Sequence, residues 1–127
     1  MPGLDEVIKA RAEERRRAIE EVKNYVEKLR ERLGAISAAV FGSYARGDFN
    51  LWSDIDVIVV SQKFKDVDFV RRCLALLDAP PRVEAICWTP EEAAKALKKP
   101  SWIEALKNCI TLADDYGIFT MCQKWNS

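Results

Sequence analysis

The residues with the most evident chemistry lie between Gly42 and Asp56, in the run GSYARGDFNLWSDID. A Gly-Ser pair follows the apolar stretch Ile36–Phe41, and Asp54-Ile55-Asp56 leads into Val57-Ile58-Val59-Val60. In an extended strand, residues i and i+2 point to one face, so Asp54 and Asp56 are expected side by side. Two aligned carboxylates suit Mg²⁺, which prefers oxygen ligands and fills its shell with water and substrate phosphates. One or two such ions can activate an attacking oxygen and stabilise a leaving one. Gly42 lets backbone approach a phosphate with no Cβ in the way. Ser43 offers a hydroxyl and Arg46 a fixed positive charge, beside the amides of a turn entering a helix. Neither Asp-x-Asp nor Gly-Ser is specific alone. Together, with Arg46-Gly47 between them and a strand on each side, they point to attack on the α-phosphate of a nucleoside triphosphate, with pyrophosphate leaving.

This segment resembles the signature of the DNA polymerase β-like nucleotidyltransferase superfamily. It is most similar to the minimal nucleotidyltransferases, whose pattern runs G-S-x-A-R-G, a spacer, then S-D-I-D and an apolar residue. Gly42, Ser43, Ala45, Arg46, Gly47, Ser53, Asp54, Ile55 and Asp56 match it. The spacer Asp48–Trp52 fits in length and is bulkier than the pattern. The resemblance implies an α/β (α+β) fold: a small mixed sheet of about four strands flanked by helices, with a long N-terminal helix. It also implies Mg²⁺, two ions during catalysis, and ATP or another nucleoside triphosphate as substrate. Asp54, Asp56 and a third acid would bind metal and act in catalysis, and Gly42, Ser43, Arg46 and Ser53 would hold the nucleotide. The third acid is expected on a later strand, and Glu84 in Arg82–Trp88 is the candidate, although Asp is more usual there. Glu84 would help accept the proton of the attacking hydroxyl, since the chain has no histidine.

Minimal nucleotidyltransferases are often paired with a helical HEPN protein, and in such pairs can act as an antitoxin that transfers AMP to the HEPN toxin. The resemblance therefore implies a HEPN-type partner, or a second copy of the chain, to complete a site built from so few residues. The expected activity is that of an adenylyltransferase acting on a protein or a small hydroxyl acceptor. The alternative is a binding module with a vestigial site that neutralises a helical partner by contact.

Composition narrows the classes. The 127 residues suit one domain, with residues 1–34 as the N-terminal helix and 35–120 as the catalytic core. Twenty basic and twenty acidic residues cancel, which argues against a general nucleic-acid binder. No stretch is long and apolar enough to span a membrane, and the charged N-terminal run lacks the apolar centre of a secretory leader, so a cytoplasmic protein is expected. Cys73, Cys87, Cys109 and Cys122 form no Cys-x-x-Cys pair, which disfavours zinc. They read as small buried apolar residues, with a disulfide as the alternative.

The elements that must position these residues follow from periodicity. Residues 4–33 read as one helix with Ile19, Val22, Val26, Leu29 and Leu33 inward, stopped by Gly34. Arg15-Arg16-Arg17 reads as solvated surface laced with i,i+4 pairs. Residues 66–78 read as a helix with Val67, Val70, Cys73, Leu74 and Leu77 inward. Thr89-Pro90-Glu91-Glu92 is a helix start, and Ser101–Glu104 repeats the capping pattern. The last helix is expected to reach Asp114, with Gly117–Thr120 as a closing strand. Trp52 reads as a packing anchor or a platform for a base. Trp125 reads as part of a disordered terminus or an interface.

Overall fold

The computed structural model describes residues 3–125. Helix α1 (Leu4–Leu33) is followed by strand β1 (Ser37–Phe41), the short helix α2 (Gly42–Arg46) and strand β2 (Ile55–Val60). A 3₁₀ turn, Gln62–Phe64, leads to α3 (Phe69–Leu74) and β3 (Val83–Trp88). Helices α4 (Pro90–Ala96) and α5 (Pro100–Ala105) precede β4 (Ile110–Asp114) and β5 (Gln123–Lys124). The strands form one mixed sheet in the order β3-β2-β1-β4-β5. Strand β1 pairs antiparallel with β2 and β4, while β3 runs parallel to β2 and β5 parallel to β4. The sheet thus has five strands where about four were expected.

Alternation along the strands builds two apolar layers. Ala38, Val40, Val57 and Val59 face α1, where Ile19, Val22, Tyr25, Val26 and Leu29 recur every three or four residues. Ala39, Ile58, Val60 and Trp88 face the opposite side and meet Ala93, Ala96, Leu106 and Phe119. Burying each large aliphatic side chain contributes about 1.5–3 kcal/mol, and that drives the layering. Gly34 ends α1 as expected: it takes φ +78°, and its N–H donates to the Arg30 carbonyl. Such a φ is strained for residues with a Cβ. The Thr89 capping box also forms, with Glu92 N–H on Thr89 Oγ1 at 3.1 Å and Thr89 N–H on Glu92 Oε1 at 2.8 Å.

Several expectations fail for identifiable reasons. Helix α3 is short and turned over. Arg72 is buried at 6% exposure, while Phe69, Val70, Leu74 and Leu77 face outward. The free edge of β3 decides this orientation. Arg72 Nη1 donates to the Cys87 carbonyl at 3.1 Å and to Glu92 Oε1 at 2.6 Å, and Nε donates to the Val67 carbonyl. An edge carbonyl shielded from water needs such a donor.

Ser101–Glu104 forms no capping box: Lys99 is the N-cap, without a side-chain bond, and α5 stops at Ala105. Asn108 then takes φ +66°, a left-handed conformation that Asn tolerates, and turns the chain into β4 where a helix was expected. Gly117–Thr120 is loop, and the closing strand is Gln123–Lys124. Cys109 and Cys122 form a disulfide across this segment, so two cysteines are not the free apolar residues expected; Cys87 is buried and Cys73 exposed. Trp125 is anchored rather than disordered. It packs on the α1 layer and its Nε1 donates to Glu20 Oε2 at 2.6 Å.

Candidate nucleotide site

Strands β1 and β2 bring the two halves of the motif together. Phe41, the last residue of β1, pairs with Asp56 on β2, so Gly42 emerges beside the Asp56 carboxylate. Gly42 has φ +74°, and an added Cβ would overlap Asp56 Oδ2, with Asp56 Cγ 3.3 Å away. The sequence assigns Gly42 to close approach by a phosphate. In the structure the group that already occupies its missing side chain's place is a carboxylate of the same site.

The parallel pairing of β2 and β3 sets Asp56 directly across from Glu84. Asp54 lies one residue before β2 and close to both. The acids press on one another. Burial, and then the Asp54 charge, push the Asp56 carboxyl above its ordinary range, against the pull of Arg46. A hydrogen bond shared with Asp54, reinforced by the charges of Asp54 and Asp56, raises Glu84. Like charges held together disfavour ionisation, and a cation relieves them. Asp56 is half-buried, and Asp54 and Glu84 are exposed and open to solvent. Among the described residues, no three acidic, Cys or His side chains form a ready-made metal cage. The chemistry of the donor set still fits Mg²⁺, which needs only one or two carboxylates besides water and phosphate. Glu84 also lines a cleft of about 270 Å³ with Cys73, Leu76, Ala79, Val83, Ala85 and Cys87.

The loop side is braced from within. The Ser43 carbonyl accepts the N–H groups of Gly47 at 2.8 Å and Asp48 at 3.1 Å, closing α2 on itself. Gly47, at φ +90°, ends that turn. Arg46 Nε reaches Asp48 Oδ2 at 3.2 Å, so the arginine braces the loop while its charge bears on Asp56. Tyr44 stacks on Phe49 with centroids 4.3 Å apart, which accounts for the bulk of the spacer. Ser53 Oγ accepts the Asn50 N–H at 2.9 Å, and the Trp52 N–H donates to Asn50 Oδ1 at 2.8 Å. Ser53 therefore shapes the turn that delivers Asp54. Trp52 is no packing anchor: it is 89% exposed.

Sequence reasoning missed Arg11 and Arg15. Arg15 Nε donates to the Tyr44 carbonyl at 2.7 Å and Nη2 to the Ala45 carbonyl at 2.9 Å. Arg11 Nη2 donates to the Phe49 carbonyl, and its guanidinium lies 4.6 Å from the centre of the Phe49 ring. A signal was present. Position 15 continues the inward stripe of 19, 22, 26 and 29, so a charge there breaks the apolar pattern. Its neighbours do behave as solvated surface: Arg16 and Arg17 pair with Glu13.

The model of the nucleotidyltransferase domain family matches residues 19–110, most of the chain and every motif residue named above. The chain belongs to that family. A candidate nucleotidyltransferase from Sulfolobus solfataricus, known from its crystal structure, is 25% identical. The match has a TM-score of 0.59 and covers 67% of this chain and 78% of that one. No curated protein matches the chain. A nucleotidyltransferase fold thus carries Asp54, Asp56 and Glu84 together on one face, with the Gly42-Ser43 loop beside them. Arg11 and Arg15 fall outside the residues that the family model matches. Among the described residues, no helix is long and apolar enough to cross a membrane.

Proposed function

We propose that this nucleotidyltransferase moves AMP from ATP to a hydroxyl group on a protein partner or a small acceptor. The observation that carries this reading is the convergence of Asp54, Asp56 and Glu84 beside Gly42 and Ser43. In the reaction, the acceptor oxygen forms a bond to the α-phosphorus as the bond to the pyrophosphate oxygen breaks. The hydroxyl proton passes to solvent or to Glu84. Mg²⁺ held by Asp54, Asp56 and Glu84 would supply charge neutralisation of the phosphates and a more acidic acceptor hydroxyl. Ser43 and the adjacent amides hold the triphosphate, Arg46 adds positive charge, and Ser53 fixes the approach to Asp54. Exposed Trp52 is available to stack on the base.

The outward apolar face of α3 supports a protein as acceptor, and a HEPN-type helical protein in a toxin–antitoxin pair is the partner that the resemblance suggests. The same face supports the second reading, neutralisation by contact alone, and a second copy of this chain is the alternative partner. The deciding experiment incubates the protein with Mg²⁺, source lysate and each of the four nucleoside triphosphates, labelled at the α-phosphate. Label on one acceptor with wild type, and none with Asp54→Asn/Asp56→Asn, supports transfer, and the strongest donor identifies the base. No label from any triphosphate, with partner inhibition intact in the double variant, supports contact alone.

A further inference from the structure

Between the N-terminal half of α1 and the motif loop lies a cavity of about 350 Å³ lined by Arg11, Arg15 and Arg46, with no carboxylate lining it among the described residues. Two of these arginines hold backbone that the site depends on. Helix α2 has only five residues, so its last carbonyls have no partner within the helix. The loop's own Gly47 and Asp48 amides satisfy Ser43, and the forked Arg15 guanidinium takes the next two carbonyls, Tyr44 and Ala45. Arg11 then fixes the carbonyl of Phe49, the second residue of the spacer.

We propose that Arg15, supported by Arg11, is a positioning residue for nucleotide transfer. By gripping the carbonyl end of α2, it sets the direction in which Ser43 and Arg46 face the triphosphate. The overhanging half of α1 is thereby part of the nucleotide site, although it contributes no side chain to the core there. The planar fork is essential: a lysine keeps the charge but cannot serve two carbonyls in fixed geometry. This inference rests on the nucleotidyl-transfer reading, since positioning matters only if the loop holds a triphosphate.

The test compares Arg15→Gln and Arg15→Lys with Arg16→Gln, whose arginine bonds only Glu13. Two quantities are read: amide hydrogen exchange across residues 42–48, and KM and kcat for ATP in the labelled-transfer assay. In both Arg15 variants, exchange at Gly47 and Asp48 should accelerate about tenfold or more, while the α1 core positions stay protected. KM for ATP should rise about tenfold with a smaller change in kcat, since a displaced loop loses affinity and alignment. Arg16→Gln should match wild type. Unchanged exchange and KM in Arg15→Gln would overturn the proposal, as would full recovery in Arg15→Lys. A fall in kcat alone, with exchange raised throughout, would reduce Arg15 to a general stabiliser. If wild type neither binds nor transfers any triphosphate, the transfer reading and the positioning role in transfer fall together, and exchange confined to 42–48 would still establish the brace.

Discussion

Gly42 and Asp56 share one space: the side chain that Gly42 lacks would lie where the Asp56 carboxylate lies. The Gly42-Ser43 half and the acidic half of the motif are therefore fitted to each other by the fold itself. The Phe41–Asp56 pairing of two antiparallel strands produces this fit, and the positive φ of Gly42 completes it.

Gly42→Ala should consequently damage the site twice. The alanine is strained at φ +74°, and its methyl group forces Asp56 away. Destabilisation of about 1–3 kcal/mol is expected from the backbone strain. Transfer should fall about a hundredfold, because a misplacement near 1 Å costs that much. Urea unfolding and the labelled-transfer assay measure the two effects. A stable, fully active Gly42→Ala would show that Asp56 tolerates displacement.

Asp56→Asn should separate activity from stability. The folded Asp56 carboxyl is raised above its unfolded value, mainly by burial and then by Asp54. The sign is that of a group that costs stability when ionised, at pH above its folded value. Removing the charge should therefore raise the melting temperature at pH 7 without divalent cations, while abolishing transfer. Mg²⁺ should raise the wild-type melting temperature and leave the variant less affected. Equal Mg²⁺ shifts in both proteins would remove Asp56 from the ion's ligands.

Asp115 should govern part of the acid limb of the stability curve. Its carboxylate accepts the Ile36 N–H at 3.0 Å and pairs with Arg30, tying the end of α1 to the start of β1. The Ile36 amide first, and Arg30 as well, hold its carboxyl below the ordinary 3.8. A carboxyl lowered on folding contributes stability above the unfolded value and loses it as pH falls through the folded one. Asp115→Asn should thus lower the melting temperature at pH 7. Its deficit relative to wild type should shrink from about pH 4 downward. A deficit constant from pH 7 to pH 2 would assign the effect to hydrogen bonding alone.

Legibility in the sequence followed the range of the interactions. The inward stripe of α1, the Gly34 stop and the Thr89 capping box were readable because each is set by residues a few positions apart. The shared face of Asp54 and Asp56 was readable for the same reason. Glu84 needed the β2–β3 register, which no local pattern encodes, and was reached only through the family resemblance. Arg15 was misread because it was taken with Arg16 and Arg17 as solvated surface, and Arg72 was passed over because the apolar residues of 66–78 were placed inward. Each instead serves carbonyls brought from far along the chain, Tyr44 and Ala45 in one case and Cys87 in the other.

Arg72 offers a direct check of that last point. It is an ion-pair member with a nearly buried head, and it also satisfies the Val67 and Cys87 carbonyls. Arg72→Ala leaves those carbonyls and the partly buried Glu92 without their donor, at a cost of about 3–5 kcal/mol. Arg72→Met keeps the packing of the stem and should lose nearly as much, because the unpaired acceptors dominate. Solvated surface would instead predict a change within about 0.5 kcal/mol for either variant. Urea unfolding at pH 7 distinguishes the two. A small effect in both would mean that α3 can turn its apolar face inward once the arginine is gone, freeing Phe69, Val70 and Leu77 to join the core.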